Sequence, residues 1–188
     1  ARYLKGFNTR APQVELELHV HAHEHLIQKV EEAEFEVAIT SSCEPPPPWA
    51  VVKGLYTENY VVALPPDHPL GAKDELSLED LSQQKYIDRS ACELRDKVLD
   101  LCQSREVELY ASYRSDQEAW IECLVRAGVG LALMPQHSVV AEDTTVRPLV
   151  DPRVQREVML LRSADHHTSP AARVLWDSLL ESAAAGGG

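Results

Sequence analysis

Apolar and polar residues alternate strictly through Val14-Glu-Leu-Glu-Leu-His-Val20, which predicts a half-buried strand. A helix over 23–34 follows, then a strand over 35–39. The proline run Pro45 to Pro48 is extended and stiff, and so reads as a surface connection. Two strands, 51–56 and 60–64, precede a Pro-Pro-Asp-His-Pro turn at 65–69 and a short helix at 77–81. The rest alternates: strand 86–88, helix 92–104, strand 107–113, helix 116–127 closed by Gly128, and strand 130–134. Late strands at 146–150 and 158–161 lead to a closing helix over 170–181, and Leu4 and Phe7 suggest a helix at the start. Strands alternating with helices predict an α/β fold with mainly parallel pairing.

Composition narrows the function classes. The 188 residues carry a net charge of −12, against the clustered basic surface that a phosphate backbone requires. No apolar run approaches the ~20 residues of a membrane span, so no membrane partner is expected. Three of the eight glycines are the last three residues, leaving few for a phosphate-cradling loop. No Walker, G-x-S-x-G or H-E-x-x-H motif is present, so nothing sets a nucleophile against a base and no enzyme or cofactor is indicated. The four cysteines lack C-x-x-C spacing, which argues against a zinc knuckle and suits a reducing, cytoplasmic setting.

Two capping-box patterns, Ser90-x-x-Glu93 and Ser115-x-x-Glu118, each stand between an expected strand and an expected helix, and Ser77-x-x-Asp80 is a looser version. Helix termination alone would explain them. Their position adds a second reading, because open α/β sheets bind ligands beyond the carboxyl ends of their strands. Thr40-Ser41-Ser42, Ser90 and Ser115-Asp116 would line a cleft suited to a small polar or carboxylated ligand.

The order of these phrases resembles the effector-binding domain of LysR-type transcriptional regulators. The resemblance rests on 14–18 with 35–39, Val61-Val-Ala-Leu-Pro-Pro-Asp-His-Pro-Leu70, and Leu78-Glu-Asp-Leu81. Arg114-Ser-Asp116 followed by Val125-Arg-Ala-Gly-Val-Gly-Leu-Ala-Leu-Met-Pro135 is its most specific part, and Pro148-Leu149 and Pro170-Ala-Ala-Arg173 complete it. It implies a two-lobed fold like type 2 periplasmic binding proteins, with an effector cleft between the lobes. Lobe I would comprise 1–57 and 146–188 and lobe II 58–145, with the first strand of lobe I and a DNA-binding winged helix lying outside the chain. The implied effector-binding residues are Thr40, Ser41, Ser42, Ser90, Ala91, Cys92, Ser115, Asp116 and Met134. The implied partners are a small-molecule effector, a second copy in a homodimer or tetramer, and DNA only through the winged helix. A free-standing solute-binding protein of a transporter is the alternative of the same fold.

Cys92-Glu-Leu-Arg-Asp96 with Cys102 also resembles the redox segment of the peroxide-sensing OxyR subgroup, implying a thiol-based oxidant sensor. Glu93 is an extra residue after Cys92, and Ala91 stands where that subgroup usually has His. On an unbroken helix the two thiols would lie ~15 Å apart, beyond disulfide reach, so a bridge would require unwinding. Otherwise Cys102 is core and Cys92 lines the cleft. Cys123 is expected in the core and Cys43 in a loop. Four alternating histidines, His19 to His25, would form a metal-binding face only if all were strand; the resemblance starts a helix at His23 and no metal is expected.

Overall fold

The computed structural model describes residues 4–41 and 45–186. In chain order the elements are α1 (Leu4–Arg10), α2 (His23–Glu31), β1 (Ala38–Ser41), β2 (Ala50–Leu64), β3 (Leu76–Ser77), β4 (Lys85–Arg89) and α3 (Arg95–Ser104). They continue as β5 (Tyr110–Ser115), α4 (Glu118–Arg126), β6 (Ala132–Pro135), β7 (Thr145–Asp151), β8 (Gln155–Ser163) and α5 (Pro170–Gly186). The chain divides into two compact units, one of residues 1–57 with 157–188, the other of residues 58–156.

In the first unit β8 lies between β1 and β2, and β1 pairs with it antiparallel, Ala38 opposite Leu161. Alternate β8 residues face opposite ways, as a pleated strand requires. Met159 and Leu161 pack with Val30 of α2 and Ala38, while Val158 and Leu160 pack with Leu55, Trp176 and Leu179. Helix α5 thereby covers one face and α2 the other. Residues 14–20 form no strand here. No strand pairs with this segment, and Leu18 and Val20 are exposed.

The second unit is built around Tyr60–Ala63 of β2, which pairs antiparallel with β6, and Val61–Leu64, which pairs antiparallel with β7. Strand β7 in turn pairs with β3 in parallel, and β4 pairs with β5 in parallel. The sheets are therefore mixed, not mainly parallel. The two strands expected at 51–56 and 60–64 form one 15-residue strand. The second boundary falls after Arg156, later than 145, because β7 hydrogen-bonds to β2 and β3 of this unit.

Two clusters fill the second unit. Tyr60, Val62, Leu76, Leu81, Val98 and Leu133 belong to the larger, and Ile87, Ile121, Val125 and Met134 to the smaller. Ile121 and Val125, one turn apart, turn α4 inward and leave Trp120 and Cys123 exposed, so Cys123 is not a core residue. Glu122 is buried on the same helix, where its carboxylate accepts the Val140 and Ala141 N–H groups at 3.2 and 2.7 Å. Gly128 ends α4 with a φ of +78°, a conformation that favours glycine. At Gly130 a Cβ would stand 2.6 Å from the Lys85 carbonyl oxygen, so its absence lets the chain run close to β4.

Candidate functional site

Strands β4 and β5 run parallel and end together, with Arg89 opposite Ser115 and the Ser90 N–H donating to the Ser115 carbonyl at 3.0 Å. Beyond their carboxyl ends lies a small hollow lined by Ala91, Ser115, Asp116, Glu118 and Arg89. Of the residues expected at strand ends, Ser115 and Asp116 line this hollow and Ser90 does not; Ala91, which the resemblance implied, lines it too. Ser115 Oγ accepts the Gln117 N–H at 3.0 Å, and α4 starts one residue later with no side-chain cap of its own. Glu118 pairs with Arg89. The Ser115 box is therefore not made: Ser115 closes a turn one residue before the helix, and Glu118 is spent on Arg89.

The Ser90 box is not made. Residues 90–94 form successive turns, Cys92 N–H to the Arg89 carbonyl and Arg95 N–H to the Cys92 carbonyl, and α3 begins at Arg95. Ser90 is therefore no helix cap and Cys92 no helical residue. Glu93 is drawn off instead to Arg156 Nη1 at 2.7 Å and to the Tyr60 hydroxyl, which donates at 3.2 Å. At Ser77 the looser box holds in part, since the Asp80 carboxylate accepts the Ser77 N–H at 3.1 Å.

The other expected residues scatter. Met134 is fully buried in the smaller cluster of the second unit and lines neither hollow there. Thr40 and Ser41 belong to β1 of the first unit, where Thr40 Oγ1 lies 2.7 Å from His23 Nδ1. Ser42 and Cys43 lie outside the described residues. His19 stacks on Phe35 and His21 lies tilted against it, and among the described residues no three His, Cys, Asp or Glu gather as a metal site.

No sequence motif marks Arg89 as a site residue. Its side chain is 6 % exposed, Nη2 pairs with Glu118, and its guanidinium sits 5.9 Å from the centre of the Tyr60 ring. Burial works against its charge, but Glu118 together with Cys92 and Tyr60 more than offsets this and holds the pKa above the ordinary arginine value. Nη1 is the single buried side-chain nitrogen or oxygen without a hydrogen-bond partner among the described residues. Such an orphan donor in a protein interior calls for a partner.

Arg89 also lines a larger cavity. Cys92 lines it, with its Sγ 3.3 Å from the Tyr60 hydroxyl. Burial raises the Tyr60 pKa, and Cys92 and Glu93 raise it further. Cys102 is buried in the larger cluster, which pushes its thiol pKa up, and Cys92 packs against that same cluster. The separation expected from an unbroken helix between the two thiols therefore does not apply.

Residues 1–184 match the model of the LysR substrate binding domain. The chain belongs to this family. The LysR domain is 25 % identical over 185 residues to the transcriptional dual regulator GltC of Bacillus subtilis, matching 95 % of this chain and 61 % of GltC. It is 30 % identical over 143 residues to a probable hydrogen peroxide-inducible genes activator of Mycobacterium leprae, matching 74 % of this chain and 45 % of that protein. The chain thus spans about half to three-fifths of these relatives. Among solved structures, the effector binding domain of QuiR in complex with shikimate superposes with a TM-score of 0.82 at 21 % identity, covering 98 % of this chain and 90 % of that one. The reduced OxyR regulatory domain of Pseudomonas aeruginosa gives 0.79 at 24 %, covering 96 % and 89 %. The LysR domain accordingly has the periplasmic-binding-protein-like α/β fold. Among its described residues no helix is long and apolar enough to cross a membrane.

Proposed function

We propose that this LysR domain is the ligand-sensing part of a bacterial transcription regulator, and that the ends of β4 and β5 contribute to its effector site. One observation carries the reading: adjoining parallel strand ends present Ala91, Ser115 and Asp116 around a hollow whose wall holds the buried, incompletely paired Arg89. The Ser115 hydroxyl and the Asp116 carboxylate, beside the Arg89–Glu118 pair, suit a small polar ligand that carries hydroxyl groups. Shikimate in the QuiR complex is a ligand of that kind. The names of the relatives support control of transcription; on this reading DNA is bound by another part of the protein, in the cytoplasm and as a homodimer or tetramer. Those names also favour this reading over a transporter's solute-binding protein. An effector changes the regulator only by binding one arrangement better than another. Calorimetric titration with a panel of small hydroxycarboxylates, shikimate included, tests the site. Ser115→Ala should weaken binding about tenfold, the value of one charge-assisted hydrogen bond; equal affinity would remove these strand ends from the site.

A second reading, an oxidant sensor, rests on Cys92, half-buried beside Tyr60 and Arg89 in a cavity. Its thiolate would attack one peroxide oxygen, breaking the O–O bond and releasing water to leave a sulfenic acid. Attack by Cys102 would then release a second water and form the disulfide, after α3 unwinds to expose that buried thiol. Free-thiol counting with mass-spectrometric mapping tests it: Cys92 unmodified at near-stoichiometric peroxide would end this reading.

A further inference from the structure

The hydroxyl of the buried Tyr60 stands between two groups of the 90–94 turns, 3.2 Å from Glu93 Oε1 and 3.3 Å from Cys92 Sγ. A tyrosine hydroxyl carries one proton, so it donates to one of them and accepts from the other. The carboxylate is the stronger acceptor, and its Oε1 is already fixed by Arg156 Nη1 at 2.7 Å. The proton therefore goes to Glu93. Cys92 is left to donate its own S–H to the Tyr60 oxygen, and a sulfur that donates is a thiol. Ionised sulfur would leave Tyr60 with two anions and one proton between them. The other groups nearby do not undo this. From β4, Arg89 and Tyr86 also face Cys92. Arg89 attracts a thiolate, but shares its charge with Glu118, while burial raises the Tyr86 pKa and keeps that residue neutral. Asp88, Arg95 and Arg114, which line the same cavity as Cys92, are paired with one another, and Cys102 of α3 is buried with its own thiol pKa raised.

We propose that Glu93 is a gate on the chemistry of Cys92, worked through Tyr60. While the Glu93 carboxylate holds the one proton of Tyr60, Cys92 stays a thiol. When Glu93 moves away, the Tyr60 hydroxyl turns and donates to sulfur, the thiol proton passes to solvent, and Cys92 becomes a reactive thiolate. Arg156, which grips Glu93, also holds the buried Glu58 at 2.7 Å, so the gate answers to β2 and β8, the strands that carry Glu58 and Arg156. The cavity that Cys92 lines has a volume of about 80 Å³, room for a small reagent beside the turn. The gate deepens the oxidant-sensing reading, whose first step needs the thiolate, and it applies equally to any electrophile that reaches the sulfur.

Alkylation of the chain by iodoacetamide, followed across pH with each cysteine mapped by mass spectrometry, reads the gate. Glu93→Met removes both the charge and the acceptor. It should speed Cys92 alkylation at neutral pH about tenfold, the value of one charge-assisted hydrogen bond, and move the pH profile of that rate about one pH unit toward acid. The exposed Cys123 should keep its rate. Adding Tyr60→Phe to Glu93→Met removes the hydroxyl that would turn, and should return most of the gain. Should Glu93→Met fail to melt cooperatively, Glu93→Gln, which drops the charge but keeps an acceptor oxygen, should move the profile the same way by less. A Cys92 rate unchanged by loss of the Glu93 carboxylate, a gain that survives loss of the Tyr60 hydroxyl, or an equal gain at Cys123 would each overturn the proposal. A Cys92 inert to peroxide would end the oxidant reading and leave these alkylation rates as they are, so the two failures are told apart.

Discussion

Arg156 holds the buried carboxylate of Glu58 at 2.7 Å, and its Nη1 reaches Glu93 at the same distance. Glu58 and Arg156 are the first and last residues of the second unit. One guanidinium therefore ties the strand that enters the unit to the strand that leaves it, and both to the turn carrying Cys92. Glu58 has further support from the His137 backbone N–H at 2.8 Å.

Removing that guanidinium leaves two carboxylates facing each other, one of them buried. Arg156→Met should cost about 3 kcal/mol, as expected for breaking a buried pair from one side. Glu58→Gln in the same background should recover part of the loss, measured by urea unfolding. Simple addition of the two single-variant costs would contradict the pairing.

Thiol reactivity should follow burial. Cys123 is exposed, Cys92 half-buried, and Cys102 buried with its pKa raised by that burial. Alkylation at mildly alkaline pH, mapped by mass spectrometry, should label Cys123 first and Cys102 only on unfolding. Early labelling of Cys102 would contradict the packing of α3.

Gly130→Ala should destabilise by about 2 kcal/mol, because the new methyl would press on the Lys85 backbone carbonyl, which cannot turn aside. Gly71→Ala, whose nearest neighbour would be a Thr145 methyl at 3.5 Å, should cost far less in the same thermal melts. Equal costs would show that β4 and the 130 segment do not lie so close.

Acid should loosen the second unit at Asp80. The Lys73 ammonium, followed by the Ser77 N–H, holds the Asp80 carboxyl below its ordinary value of 3.8. Between that ordinary value and the lower folded one the unfolded chain binds the extra proton, so stability is lost as pH falls through that range. Asp80→Asn should flatten this part of the stability–pH curve; an unchanged slope would contradict the contact.

Patterns that report local or family-wide order were legible in the sequence. The family, the α/β class, and the strand-end position of Ser115 and Asp116 could all be read from residue order. What could not be read depends on partners far along the chain. Residues 14–20 alternate like a strand, yet alternation says nothing of whether a neighbour exists to pair with it. Glu93 three residues after Ser90 looks like a capping box until Arg156, 63 residues away, takes its carboxylate. The polar Thr57-Glu-Asn59 read as a gap between strands because Glu58's partner is 98 residues distant. Arg89 carried no motif at all, and only the unpaired Nη1 in its buried setting marks it out.

The central claim, that the ends of β4 and β5 seat the effector, meets its most direct test in amide NMR of the chain titrated with small hydroxycarboxylates. A compound that binds should move the Ala91, Ser115, Asp116 and Gln117 amide signals in a saturable way, and Ser115→Ala should weaken that binding about tenfold. A compound that binds tightly while leaving those four amides in place would contradict the account.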